Sequence, residues 1–245
     1  MAIMHGRQVQ SVVGRQKSAV DLVLHEIRRS ILSGDLPPGQ PFTVPALTER
    51  LGVSHVPVRE ALRKLEGQGL VMLSPSRSAI VTPLDPDDLR SIYRIRLRLE
   101  PALAADSAAE CTERDIAEFE ELLRAAYVGT AGEDAHWDNH RKFHTALISP
   151  AASAWDFRLL VPLWDAAERY TRLVYDTVAA SAETTAERKH AHDALITAAS
   201  SRDPEEIRHE LRRHLETNLS QTLDAMHSIA TPDTHPLWIR QADTA

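Results

Sequence analysis

His140 and His144 stand one helical turn apart in the segment EDAHWDNHRKFHTALI, a spacing that can do chemistry. Side chains four apart leave a helix on one face, as metal-binding histidine pairs do. Trp137, Leu147 and Ile148 share that face, so it points inward. In the same way His192 lies with Leu195, Ile196 and Ala199, and His214 with Ile207, Leu211 and Asn218. Four histidines are therefore expected on the apolar faces of three helices. A buried imidazole without a partner costs desolvation energy. Four that converge on a divalent cation (Zn, Ni, Mn or Fe) escape that cost, because neutral imidazole is a good ligand for all of these. The other arrangement is four core histidines, each hydrogen-bonded separately. His136, His190 and His209 fall off the apolar stripes, and Asp138 lies roughly opposite the pair.

Arg96 belongs to the same picture. It shares a face with Ile92, Leu99 and Leu103, so its guanidinium is expected to point inward. An inward arginine beside a cation receives a carboxylate, because its planar fork matches two oxygens. It also stands four residues before Glu100, the spacing of a structural ion pair. Asn218, one turn beyond His214, either orients a ligand or satisfies a backbone group. Tyr93, Trp164 and Tyr175 read as packing residues.

A second set of residues suits a polyanion. Ser54, His55, Val56, Arg59 and Arg63 fall in SHVPVREALRKLEG, which reads as a helix over about 55–67 capped by Ser54. It follows helices over 18–32 and 43–51, with Ser18 and Asp21 at capping-box spacing and Gly34 and Gly52 as stops. Two short apolar runs, 70–73 and 79–82, flank SPSRS and read as a β-hairpin with Arg77 at its tip. Helix, helix, short turn, helix, hairpin is a winged helix-turn-helix. Such a module inserts the start of its third helix into the major groove. Arg59, Arg63 and Lys64 would meet phosphates, His55 and Val56 base edges, and Arg77 the backbone or minor groove. A winged helix also serves in places as a protein-interaction module.

Composition supports the division. Residues 1–83 carry ten Lys and Arg against six Asp and Glu, and the remainder carries 18 against 29, so a basic first third precedes an acidic body. A single cysteine, Cys111, excludes a disulfide framework and a cysteine-rich zinc module. No run approaches 18 apolar residues, and no GxGxxG or GxxxxGK[ST] phosphate-binding loop occurs. Beyond residue 84, helices are expected over 85–109, 112–128, 133–149, 153–180, 183–200 and 203–227, with Pro162 a kink in the fourth.

Residues 18–83 resemble the DNA-binding domain of the GntR-type bacterial regulators. The resemblance is carried by Ile27, Ile31, Gly34, Leu36, Pro38 and Gly39. It continues through Leu47, Leu51-Gly52-Val53-Ser54, Pro57-Val58-Arg59-Glu60-Ala61-Leu62, Leu65 and Gly69-Leu70-Val71. It implies that Ser54, His55, Val56 and Arg59 touch an operator. Three positions depart from the family pattern: His55 stands where arginine is usual, Pro45 where a polar residue is common, and Ser76 near a usual glycine. Residues 85–228 resemble the FCD effector domain of the FadR subfamily through Arg96, Glu100, Phe143-His144, His192, Leu195, Ala198, Asp203, Arg212 and His214-Leu215. The resemblance implies metal ligands at His144, His192 and His214, with His140 where the family has aspartate. That exchange makes the site one charge more positive.

The expected molecule is mainly α. A winged helix-turn-helix over 18–83 follows an extension over 1–17, and an all-helical metal and effector domain over 84–228 precedes a tail over 229–245. The expected function is a cytoplasmic, nucleoid-associated transcription regulator with no membrane span. It would be a homodimeric repressor whose hold on operator DNA is controlled by a small carboxylate bound at the metal. Two other readings are a metal-dependent hydrolase or oxygenase built on the same histidines, and a metal-stabilised DNA-binding protein without an effector.

Overall fold

A computed structural model of the chain describes residues 18–74, 78–127, 133–178 and 182–229. Arg77, the extension over 1–17 and residues 230–245 of the expected tail lie outside the described residues.

The head runs α1 (Ala19–Leu32), β1 (Pro41–Thr43), α2 (Val44–Leu51), α3 (His55–Gly67), β2 (Val71–Leu73) and β3 (Ser78–Val81). Local chemistry sets the helix ends. Ser18 and Asp21 form a reciprocal capping box on α1, and Thr43 accepts from the Ala46 N–H at the start of α2. Gly52 closes α2 at φ 65°, in the left-handed region that a side chain would strain. Ser54 corrects its expected role: it holds the N-cap position of α3 with extended backbone, but its hydroxyl makes no capping bond. Strand β1 was not expected, because three residues beginning with proline carry no readable alternation. Pairing creates it. Pro41 sits opposite Ile80 on an edge, where a missing N–H is tolerated, and the sheet order is β1-β3-β2, all antiparallel. Val23, Ile27 and Ile31 of α1, Val58, Leu62 and Leu65 of α3, and Val81 of β3 close one apolar core.

The body runs α4 (Pro86–Glu110), α5 (Glu113–Tyr127), α6 (Glu133–Ile148), α7 (Ala154–Val178), α8 (Ala182–Ser201) and α9 (Pro204–Ile229). Asp85 and Thr112 cap α4 and α5 as expected, and α9 continues two residues past its expected end. A second core, including Phe119, Phe143, Leu147, Trp164, Tyr170, Leu195 and Leu211, fills the bundle. Pro101 lies inside α4, where it can donate no bond to the carbonyl of Leu97. Arg212, reaching from α9, donates to that carbonyl at 3.5 Å.

Two charged contacts join head to body. Arg28 of α1 meets the buried Asp165 of α7 at 3.2 Å and donates to Gln68, at the end of α3, at 2.8 Å. Arg169 of α7 donates to the Thr82 carbonyl at 2.8 Å. No helix among the described residues is long and apolar enough to cross a membrane.

Candidate metal and effector site

Three nitrogens converge in the body. His140 and His144 on α6 and His192 on α8 offer ligand atoms that all lie within 4.8 Å of one another. His192 Nε2 is 2.9 Å from His140 Nε2 and 3.3 Å from His144 Nε2. His214 on α9 packs its ring 4.6 Å from that of His192 and 5.2 Å from that of His144. It stands beside the converged trio and is not one of it. His144, His192 and His214 are buried and His140 is half-buried. His136 and His140 stack at 6.3 Å, while His190 and His209 are exposed, as their facing implied.

The network fixes which nitrogen of His192 is free. Its Nδ1 lies 2.7 Å from the Arg188 carbonyl, which only accepts, so Nδ1 carries the proton and Nε2 the lone pair. Tyr127 places its hydroxyl 3.2 Å from the same Nδ1. This is how metal-bound histidines are held, the far nitrogen bonded to a carbonyl so that the near one is oriented. Burial, then repulsion from neighbouring imidazoles, holds His140, His144 and His214 well below the usual 6.5. Burial takes His192 down to about 4, against the opposing bond to Arg188. All four rings are therefore neutral at neutral pH and have lone pairs to give. The donor set fits a divalent cation. Nitrogens about 2.1 Å from a shared ion lie roughly 3.0–3.4 Å apart in octahedral or tetrahedral arrangement, and the two spacings at His192 sit close to that range.

Cavities lie on both sides of the cluster. One, of about 50 Å³, is lined by His140, His144 and His214 together with Tyr93, Arg96, Arg141, Glu168 and Asn218. The other, of about 300 Å³, meets His140, His192 and His214 from the side of α8. Arg96 is both inward and paired. Its Nε donates to Glu100 Oε1 at 2.6 Å, and Trp164 donates to the same oxygen at 3.0 Å. Burial disfavours the Arg96 charge, but Glu100 and Tyr93 outweigh it and raise the guanidinium pKa. Tyr93 donates to Asn218 Oδ1 at 2.6 Å, which leaves the Asn218 amide N–H groups for another acceptor. Tyr93 and Trp164, read from sequence as packing residues, thus also place polar atoms at the site. The side chain of Tyr175 lies outside the described residues, and Asp138 is exposed.

Sequence reasoning missed Arg141, Glu168 and Tyr127. Arg141 follows His140 directly, about 100° around the helix, so facing alone turns it away. Its long side chain reaches back to bond Asp165 at 2.9 Å and Glu168 at 2.8 Å. The line Arg141–Asp165–Arg28–Gln68 therefore runs from the cavity wall to the end of α3.

In the head, the N-cap Ser54 and His55, Val56, Arg59 and Arg63 of α3 all lie exposed, while Val58, Ala61, Leu62 and Leu65 of that helix are buried. Val56 is 66% exposed, unusual for valine and consistent with an apolar contact made elsewhere. Neither Arg59 nor Arg63 joins an ion pair among the described residues, whereas Lys64 pairs with Asp21 at 3.3 Å.

Known proteins share both halves. Residues 20–81 match the family model described as bacterial regulatory proteins, gntR family, and residues 91–217 match the FCD domain. The chain is 32% identical over 218 residues to the uncharacterized HTH-type transcriptional regulator BphR of Paraburkholderia xenovorans, covering 85% of this chain and 86% of that one. It is 26% identical to the HTH-type transcriptional repressor GlaR of Escherichia coli K12, over 82% of this chain and 94% of that one. Its fold is similar to the solved structure of E. coli McbR/YncC, with TM-score 0.74, 25% identity and coverage of 85% and 99%. A putative transcriptional regulator GntR from Rhodococcus sp. RHA1 gives TM-score 0.68 at 25% identity, with the same coverage.

Proposed function

The chain belongs to the GntR family of DNA-binding transcription regulators with an FCD effector domain, and from that premise we propose that it is a repressor released by a small carboxylate bound at a histidine-held metal. Its relatives regulate transcription, so the hydrolase or oxygenase alternative falls away. The observation that carries the proposal is the convergence of three neutral imidazole nitrogens beside a cavity that also holds Arg96 and Asn218.

His140, His144 and His192 supply the converged donors, with His214 as the fourth imidazole. A bound divalent cation would act as a Lewis acid toward an oxygen of the effector. The chain's own residues do the rest. Neutral imidazole ligands leave the ion's charge uncompensated, so the site demands an anion. Arg96 is committed to Glu100 through Nε and Nη2 and lines the cavity. Asn218 is oriented by Tyr93 and offers amide N–H groups. Asn218 also lines the cavity on the α8 side, whose volume of about 300 Å³ reaches the range that holds small molecules. The repressor sense is supported by the similarity to GlaR, a transcriptional repressor.

Ser54, His55, Val56, Arg59 and Arg63 read operator DNA from α3 and its N-cap, and Arg77, outside the described residues, is the sixth proposed DNA contact. A homodimer places two such heads on an inverted repeat. The effector works by favouring one arrangement of the heads, since a ligand with equal affinity for both shifts nothing. Arg141 lines the cavity, and its ion-pair line to Gln68 is the route to α3. The protein acts in the cytoplasm, on the nucleoid.

Elemental analysis of the purified chain tests the metal. One divalent ion per chain is expected, falling to background in His192→Ala. Full retention in that variant would remove the histidine site. Operator affinity at fixed salt, measured against a panel of small mono- and dicarboxylates, tests the effector. At least one should weaken binding in the metal-loaded protein and lose that effect when the metal is stripped.

A further inference from the structure

The turn between α2 and α3 holds a hydrogen-bond relay that fixes what the reading head can recognise. Thr48 on α2 is buried, and its hydroxyl donates to the Val44 carbonyl one turn earlier. A hydroxyl has one proton, and a carbonyl can only accept, so the proton of Thr48 is spent there. The Thr48 oxygen lies 3.1 Å from His55 Nδ1, at the first residue of α3. With no proton left to give, Thr48 accepts, and Nδ1 is the donor. With the ring's proton on Nδ1, Nε2 carries the lone pair. His55 is exposed, and Nε2 has no partner among the described residues.

We infer that His55, locked in this tautomer by Thr48, is a specificity-determining residue that accepts a hydrogen bond from the exocyclic amino group of adenine or cytosine in the operator. The inference rests on α3 being the element that enters the major groove. There, adenine presents the N6 amino group and cytosine the N4 amino group as donors. Guanine presents N7 and O6, thymine presents O4, and phosphate oxygens are acceptors as well. A lone pair aimed at any of these is repelled. Val56, the next residue, is exposed beside His55, so the pair combines a hydrogen-bond acceptor with an apolar contact. A buried threonine outside the reading surface thereby chooses which bases the surface accepts.

The test is selection of bound sequences from a random duplex library by the full chain, with base preference then read as relative affinity. In the wild type, one position of each half-site should be adenine or cytosine, with guanine and thymine bound about tenfold more weakly there. Thr48→Val frees the ring to carry its proton on Nε2, so discrimination at that position alone should collapse to within about twofold. Thr48→Ser keeps the hydroxyl and should restore it. His55→Ala, at an exposed site that leaves the fold intact, should also flatten that position alone. Guanine or thymine at the responsive position, or a motif unchanged in His55→Ala and Thr48→Val, would overturn the inference and leave the regulator reading standing. No enriched sequence from the wild type would instead sink the reading by α3 itself.

Discussion

At the scale of single residues, four neutral imidazoles packed together make the body sensitive to protons. Burial sets the His192 pKa to about 4 in the folded chain, against 6.5 when exposed. The sign follows from linkage. A lowered histidine pKa means that the unfolded chain binds protons which the folded one refuses, so stability is lost as pH falls through 6.5 toward 4. For His192 alone the loss between about pH 7.5 and pH 5 is about 2 kcal/mol, and His140, His144 and His214 add to it in the same direction. In a chelator, the melting temperature should therefore fall by at least about 4 °C over that interval, and His192→Ala should flatten the fall. A bound cation steepens the dependence, because protons compete with it for the same lone pairs. A melting temperature indifferent to pH across the window would show that these rings are not held neutral.

At the scale of elements, the question is how α6, which carries half of the histidine cluster, is connected to α3. The connection is Asp165, a buried acid on α7 held between Arg141 and Arg28. Burial raises its pKa even though both arginines pull it down, so the ionised form is held at a net cost. An ion pair kept on such terms contributes little to stability, and its value lies in fixing one arrangement of the elements that it joins. Asp165→Asn is accordingly expected to change unfolding free energy by less than about 1.5 kcal/mol. Metal content should stay the same, and the weakening of operator binding by the effector should shrink at least about fivefold. Undiminished effector response in that variant would remove the route. The helices themselves were legible in the sequence because caps and stops are local: Ser18 with Asp21, Gly52, Asp85, Thr112 and Asp203 each act within a few residues. The inward faces of α6, α8 and α9 were legible for the same reason, since facing is a matter of spacing. Strand β1 was not, because three residues become a strand only by pairing with β3. Nor was the Arg141–Asp165–Arg28 line, whose members lie far apart in sequence, nor the bond from Trp164 to the Glu100 carboxylate that Arg96 pairs with. These depend on where long side chains end, which spacing does not encode.

At the scale of the whole molecule, charge is divided between the halves, with ten cationic against six anionic residues up to residue 83 and 18 against 29 beyond it. An acidic body repels DNA, so affinity must come from the few cations that the head sets free. Arg59 and Arg63 are such cations, exposed and outside any ion pair among the described residues, whereas Lys64 is shared with Asp21. Each phosphate neutralised contributes about −0.9 to the slope of log affinity against log salt on duplex DNA. In a homodimer every substitution counts twice. Arg59→Ala should therefore weaken binding to all sequences alike and reduce the magnitude of the slope by about 2, while a monomer on a half-site would lose only about 1. Lys64→Ala, whose charge is already engaged, should move the slope by less. Titrations at several salt concentrations, paired with the mass of the protein–DNA complex in solution, separate the cases. A slope change near 2 with two chains per duplex supports a symmetric dimer on an inverted repeat. An unchanged slope in Arg59→Ala would mean that α3 does not face the phosphates, and the orientation of the head on DNA would have to be reversed.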